Sequence, residues 1–339
     1  MCAEPRDKPR ISAVTIFYNP GAFLEEAIES VLAQTYSDYE LLLINDGSTD
    51  VSVKIAKEYA ARFPNQVRCL THPGGVNRGM SATRNLGISE AQGEFVAFLD
   101  ADDVWAPCKL EEQMALMDAH PEIAMLCGAT VQWASWTGKP GDLHRDDPYI
   151  TGGLRTGMDA PRGLPLNVVI DPPGGVLELQ PLGPSCAPSM SNLITRTDFL
   201  RRIGGFDENF KGMFEDQVFL AKVYLNAKFL IVDNIWDYYR QHEKSCMATT
   251  SFSENYLAFE SFMRWLDDYT RTITPKNPNV AEKSQEIIQK SWQKWHKSRI
   301  KRQTVMFTDK LLPDWVMRKL YSIWNSIRAI SFQGLTSRS

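Results

Sequence analysis

Ile11–Phe17 is a short apolar run with β-branched residues, and Tyr18-Asn19-Pro20-Gly21 breaks it, so the pattern predicts a buried strand and a turn. Phe23–Gln34 then shows apolar residues at helical spacing: Phe23, Leu24, Ala27, Ile28, Val31 and Leu32. Tyr39–Ile44 reads as a second buried strand, closed by Asn45-Asp46-Gly47-Ser48. Thr49 or Asp50 suits the cap of a helix running to about Phe63. Val67–Leu70, Ser81–Ala91 and Phe95–Leu99 continue as strand, helix and strand, the last ending on Asp100. This alternation means parallel βαβ units, and the fold class is α/β, a mostly parallel sheet flanked by helices. Polar residues gather where strands end, and open α/β sheets bind ligands there.

Pro107–Ala119 is another helical stretch, and Ile123–Val131 another strand. From 137 to 188 the chain is rich in Gly and Pro and loses periodicity, which predicts an irregular insertion over the site, with short strands near Asn167–Ile170 and Val176–Leu179. Ser191–Arg196 reads as a strand, Glu215–Leu225 as a helix, and Lys228–Val232 and Ile235–Tyr239 as two extended pieces. Beyond Phe252 the pattern is helical throughout. The expected division is a catalytic domain over 1–250 and a helical extension over 251–339.

Composition narrows the class. With 339 residues, 43% hydrophobic, the chain has ample material for a large core. The formal charge of −4 implies no attraction to nucleic acid. Residues 281–339 hold 12 Lys and Arg against 4 Asp and Glu, so a basic tail follows an acidic body. None of the six cysteines forms a CxxC pair, which fits a reducing compartment. The N-terminus is polar and unlike a signal peptide, and no apolar stretch is long enough to cross a bilayer. The expected location is the cytoplasm, with peripheral contact at the inner face of the membrane as one role for the tail. That role rests on Trp292, Trp295, Trp315 and Trp324 and on the stripe Val316, Leu320, Ile323, Trp324, Ile327 and Ile330 beside Arg318, Lys319 and Arg328. Packing on the catalytic domain or on a second copy of the chain fits the same stripe.

Asp100-Ala101-Asp102, followed by Asp103, stands at the end of a buried strand. Two carboxylates at that spacing point roughly the same way, and Mg²⁺ and Mn²⁺ favour such oxygen ligands. A polar turn capping the next helix is the plainer reading. Asp46 beside Gly47 suits a hydrogen bond from a base N–H, or a simple turn. Arg84-Asn85 sits on the helix after Gly79-Met80-Ser81, where its forked donors suit a diphosphate or merely face solvent. Glu215-Asp216 opens a helix, where the dipole favours carboxylates in any case and where one of them suits a general base. His242 is either structural or a further metal ligand.

Together these segments resemble glycosyltransferase family 2, with its GT-A fold. The resemblance is carried by Val14-Thr15-Ile16-Phe17-Tyr18-Asn19, Leu43-Ile44-Asn45-Asp46-Gly47-Ser48-Thr49-Asp50, Ser81-Ala82-Thr83-Arg84-Asn85-Leu86-Gly87 and Phe98-Leu99-Asp100-Ala101-Asp102-Asp103, then by Gly204-Gly205-Phe206-Asp207 and Phe214-Glu215-Asp216. It implies an inverting transfer of a sugar from a nucleotide-diphosphate sugar, UDP-linked by preference, to a hydroxyl of a glycan or lipid-linked glycan in bacterial surface polysaccharide or glycolipid assembly. It places Thr15, Tyr18 and Asp46 around the nucleoside, Arg84 near the base or diphosphate, and Asp100 and Ala101 on the donor. Asp102 and His242 would hold Mn²⁺ or Mg²⁺. Asp216 would be the general base, with Glu215 its neighbour and substitute. The Gln-x-x-Arg-Trp motif of processive synthases is absent, because Ser261 stands where Gln would precede Arg264-Trp265, so single-sugar addition is expected. Two other classes compete: a sugar nucleotidyltransferase, which should show a Gly-rich loop after the first strand, and a non-catalytic glycan-binding module. No G-x-G-x-x-G follows the first strand, which disfavours a dinucleotide oxidoreductase.

Overall fold

The computed structural model describes residues 8–133, 164–176 and 187–273, with shorter pieces at 136, 147–150, 154–155, 282, 285–286, 288–290 and 293. Its strands are β1 (Ile11–Phe17), β2 (Tyr39–Asn45), β3 (Val67–Thr71), β4 (Phe95–Asp100), β5 (Val104–Trp105), β6 (Ile123–Trp133), β7 (Asp147–Ile150), β8 (Leu154–Arg155), β9 (Val168–Ile170), β10 (Ile194–Arg196) and β11 (Lys228–Arg240). Its helices are α1 (Phe23–Leu32), α2 (Ser52–Arg62), α3 (Met80–Glu90), α4 (Lys109–Ala119), α5 (Thr197–Arg202), α6 (Glu215–Asn226), α7 (Cys246–Thr249) and α8 (Phe252–Ile273).

The expected parallel half forms as β3-β2-β1-β4. β1 is enclosed on both faces, with Ala13 and Phe17 packing to one side and Val14 and Ile16 to the other. Continuous apolar strands of this kind belong between two helical layers. α1, α2 and α4 cover one face, while α3, α5, α6 and α8 cover the other. In α1 the covering residues are Leu24, Ala27, Ile28 and Val31, one stripe of the helix.

The second half departs from the sequence reading in ways that build the site. Ser191–Arg196 is not one strand: Met190–Asn192 forms a 3-10 turn, and only Ile194–Arg196 enters the sheet, antiparallel between β4 and β6. The two extended pieces at 228–239 are one strand, β11, parallel to β6, with register shifts between Ile231 and Ile235 and between Ile235 and Asp237. β11 also pairs with β5, Asp237 opposite Trp105 and Tyr238 opposite Val104. That pairing carries the segment after Asp102 and the segment before His242 along one another. Within 137–188, β7 adds to β6 and β9 to β11, while Val176 closes a turn. Of that stretch, 137–146 (save 136 before it), 151–153, 156–163 and 177–186 lie outside the described residues.

α8 packs on α6. Phe262, Met263 and Leu266 are fully buried in the same core as Val218 and Phe219. Ile288, in the basic tail, is buried there too. The apolar stripe from Val316 to Ile330 lies outside the described residues. Among the described residues, no helix is long and apolar enough to cross a membrane.

Candidate active site

The strand ends of β1, β2 and β4 form one rim. Asn19, with φ +52°, lets its side chain accept the Thr49 amide at 2.8 Å, and Asp50 accepts the amides of Gly21 at 2.8 Å and Ser52 at 3.1 Å. Asp50 thereby serves the start of α2, as its sequence position suggests. Tyr18 is 57% exposed on this rim. Thr15 lies beneath it, fully buried, and its hydroxyl has no hydrogen-bond partner. Asp46 is buried, and its two oxygens accept the backbone amides of Arg78 at 2.7 Å and Gly79 at 3.0 Å. It thus fixes the loop leading into α3, and Gly47 beside it has no room for a Cβ against Asn77 and Gly75. Ala101 is buried behind the Asp pair.

Arg84 is neither solvated nor set against open space. It is 1% exposed, with Nη2 on Asp100 Oδ1 and Nη1 on Glu215 Oε1, each at 2.7 Å. Its guanidinium lies 5.3 Å from the Phe206 ring centre. One side chain of α3 therefore joins the end of β4 to the start of α6, across 16 and 131 residues of sequence. Asn85 makes the companion link, donating to the Phe206 carbonyl at 3.0 Å and accepting its amide at 2.8 Å. Gly205 permits this contact: its φ is +55°, and an added Cβ would collide with Asn85 Oδ1. Gly205→Ala is expected to lower stability by about 1–3 kcal/mol, from left-handed strain alone or with the lost contact. A thermal melt unchanged from wild type would remove this account of the Gly-Gly-Phe-Asp segment.

Glu215 is buried, and burial pushes its carboxyl up to about 7 despite Arg84 beside it. Its second oxygen has no hydrogen-bond partner. Asp216 is half-buried, and burial raises it above the ordinary carboxylate range. The Gln217 amide donates to its Oδ1 at 2.7 Å. Phe214, just before them, adopts a left-handed backbone with φ +68°. Its ring stacks on Phe262 at 5.5 Å and meets Phe259 edge-on at 6.0 Å, so α8 holds the start of α6.

Asp102 Oδ2 and His242 Nε2 lie 3.0 Å apart. Adjacent ligands of an octahedral ion with bonds of about 2.1 Å are spaced by about 3.0 Å, so the pair fits two corners of a Mg²⁺-like site. Among the described residues, no cluster of three His, Cys, Asp or Glu side chains is arranged to hold a metal. The remaining corners would fall to water and phosphate oxygens, as such ions prefer.

Spacing did not reveal what braces this pair. Asp103 is buried, accepting the Arg240 amide at 3.0 Å and the Ser191 hydroxyl at 2.6 Å, and burial holds its carboxyl well above the ordinary range. Arg240 Nε donates to the Asp102 carbonyl at 2.7 Å, and Nη2 reaches Glu26 at 2.7 Å. Rings of Phe23, Trp133 and Trp136 surround its guanidinium at 4.7, 4.5 and 5.0 Å. A buried Arg two residues before His242 was the available signal, but burial is not visible in a short polar segment.

Residues 12–168 match the glycosyl transferase family 2 model. Over 112 residues the chain is 37% identical to the putative glycosyltransferase EpsE of Bacillus subtilis, covering 33% of this chain and 40% of that protein. The chain spans under half the length of the curated relatives it matches. S. aureus TarS 1-349, solved with UDP-GlcNAc, superposes with a TM-score of 0.54 at 22% identity, over 75% of this chain and 65% of that one. The mannosyltransferase PcManGT from Pyrobaculum calidifontis, solved with GDP-Man and Mn²⁺, gives 0.51 at 12% identity, over 99% of this chain and 90% of that one. Both share the GT-A-type arrangement of sheet and helices. With that fold and those matched residues, the chain carries a glycosyl transferase family 2 segment over residues 12–168 within a GT-A-type fold.

Proposed function

We propose that the protein transfers single sugars from a nucleotide-diphosphate sugar, UDP-linked by preference, to an acceptor hydroxyl with inversion at the anomeric carbon. The observation that carries this reading is the Arg84 bridge, which sets the Asp100 end of the donor rim one side chain away from the Glu215-Asp216 pair. A donor and an acceptor need such adjacency to react in one displacement.

In this reading Asp216 Oδ2 takes the proton of the acceptor hydroxyl. The acceptor oxygen bonds to the anomeric carbon, the bond from that carbon to the diphosphate breaks, and the nucleoside diphosphate leaves with the electron pair. Asp102 and His242 would hold Mn²⁺ or Mg²⁺, whose positive charge stabilises the departing diphosphate. Arg84 holds Asp100 and Glu215 in place and acts as a positioning residue. Glu215 anchors the start of α6, and Arg240 holds the Asp102 backbone. Thr15, Tyr18, Asp46 and Ala101 form the nucleoside end, with Tyr18 the exposed member. The bound sugar nucleotides of TarS and PcManGT support this donor class, as the Mn²⁺ of PcManGT supports the metal. The family resemblance supports a bacterial surface polysaccharide or glycolipid as acceptor class.

Incubation with Mn²⁺ and a panel of nucleotide sugars tests the reading. One UDP-sugar is expected to raise the melting temperature and to release UDP, with the sugar recovered on an acceptor or as free sugar. Conversion of the nucleotide sugar and added pyrophosphate into a nucleoside triphosphate and a sugar 1-phosphate would indicate a nucleotidyltransferase instead. A panel in which nothing binds or is consumed would leave only a glycan-binding module.

A further inference from the structure

The Asp103 amide donates to the Asp100 carbonyl at 3.0 Å, which closes residues 100–103 into a tight turn at the end of β4. A residue far away in the sequence braces that turn. The Ser191 hydroxyl accepts the Asp100 amide at 3.1 Å and donates to Asp103 Oδ2 at 2.6 Å. One oxygen thus joins the first and last residues of the turn, across 91 and 88 residues of sequence. A hydroxyl can serve both, because it carries one donor and two acceptor lone pairs. Ser191 is fully buried, so it holds the site without meeting a substrate.

The hydroxyl is mounted on a fixed support. The Ser191 carbonyl accepts the Trp105 indole N–H at 2.6 Å, and the Asn192 carbonyl accepts the Gln113 side-chain amide at 2.7 Å. The Asn192 side chain donates to the Ala129 carbonyl at 2.8 Å and to Asp237 at 2.5 Å, which ties the 3-10 turn to β6 and β11. The other oxygen of Asp103 accepts the Arg240 amide, two residues before His242. Asp103 therefore connects Ser191 to both members of the metal pair. Asp102 precedes it in the chain, and His242 follows the end of the strand that it grips. On the donor rim, Arg84 holds the Asp100 carboxylate while Ser191 holds the Asp100 backbone.

We infer that Ser191 is a positioning residue for the donor site, whose hydroxyl sets the turn 100–103 so that Asp102 meets His242 as one metal-binding pair. The inference rests on the sugar-transfer reading above, in which those two side chains hold the ion. Without the hydroxyl, the Asp100 amide and one buried Asp103 oxygen lose their partner, and they regain one only if the turn shifts. A pair spaced for adjacent corners of a small, rigidly coordinated ion tolerates little such shift. Ser191 lies outside the family-matched segment, and its effect reaches the site through that turn alone.

Calorimetry on the full-length protein tests this through UDP affinity, measured with Mn²⁺ and again with a chelator. Wild type is expected to bind UDP more tightly with Mn²⁺. Ser191→Ala and Ser191→Cys are expected to cut that metal-dependent gain by about tenfold or more, the usual cost of losing a group that orients a metal ligand. The thiol of the second variant fills the space but donates only weakly, so it carries the test if the first fails to fold. Thr197→Val controls for a merely structural effect. It removes another buried hydroxyl bond, from Thr197 to the Gly93 carbonyl at 2.7 Å, at the opposite end of β4. Its metal-dependent gain should stay within about twofold of wild type, as expected for a distant site. Folded Ser191 variants that keep the wild-type gain would overturn the inference alone, as would an equal loss in Thr197→Val. A wild type that binds UDP no better with Mn²⁺ would overturn the metal reading and this inference together.

Discussion

Asp216→Asn is expected to lower sugar transfer by about 100- to 10,000-fold while nucleotide binding persists, the loss that removing a general base commonly brings. The amide keeps the size of the side chain and can still accept the Gln217 amide, so α6 should start as before. What it loses is the capacity to take a proton. The same reasoning sets the pH dependence of the wild type. The active form is the ionised carboxylate, and burial raises its pKa. The rate should therefore fall as pH drops through a range above that of ordinary carboxylates, with nucleotide affinity changing less. Transfer at near wild-type rate by a folded Asp216→Asn protein would exclude Asp216 as the base. Loss of nucleotide binding in that protein would instead move the residue to the donor side.

Arg84→Ala is expected to destabilise the fold by about 3–5 kcal/mol, because it leaves a buried carboxylate without its partner. The stranded groups are Glu215, buried, and Asp100, partly exposed, so most of the cost falls on Glu215. The sign of its pH dependence follows from linkage. A carboxyl whose pKa is raised on folding binds its proton more tightly when folded, so it favours the fold at low pH and loses that contribution as pH rises. Glu215 already sits at about 7 with Arg84 present. Without Arg84 it should rise further, so the deficit of the variant should be larger at pH 8 than at pH 5. Adding Glu215→Gln to Arg84→Met should restore part of the stability, since neither buried charge then remains. Equal melting temperatures for Arg84→Ala and wild type at pH 8 would show that the bridge contributes nothing to the fold.

Much of the parallel half is legible in the sequence because its strands are buried on both faces. β1, β2 and β4 appear as mainly apolar runs, and the polar residues that follow each run fall on one rim. The second half is harder for physical reasons. Asp233 and Asn234 interrupt β11 with polarity, yet pairing with β6 continues across the register shifts, so one strand reads as two. Ser191 and Asn192 resemble part of a strand, but their side chains are committed to Asp103 and Asp237 within a 3-10 turn. α5 is a single short helix without a long apolar period, and β5 has two residues. Among site residues, spacing identifies the kinds of group but not their partners. The Arg84 side chain is drawn to Glu215 by a contact 131 residues distant, which no local pattern encodes.

The left-handed Phe214 has a consequence for how such a protein can diversify. Its backbone conformation costs of the order of 1–3 kcal/mol and persists only where the surroundings hold it. Phe259 and Phe262 of α8 do so, and both lie well beyond the family-matched segment that ends at 168. Exchanging α8 between relatives would therefore change the two rings that clamp Phe214. A chimera joined upstream of 214 would carry clamp and clamped residue as a unit. One joined between 226 and 252 would part them, so viable recombinants should cluster at the earlier junction.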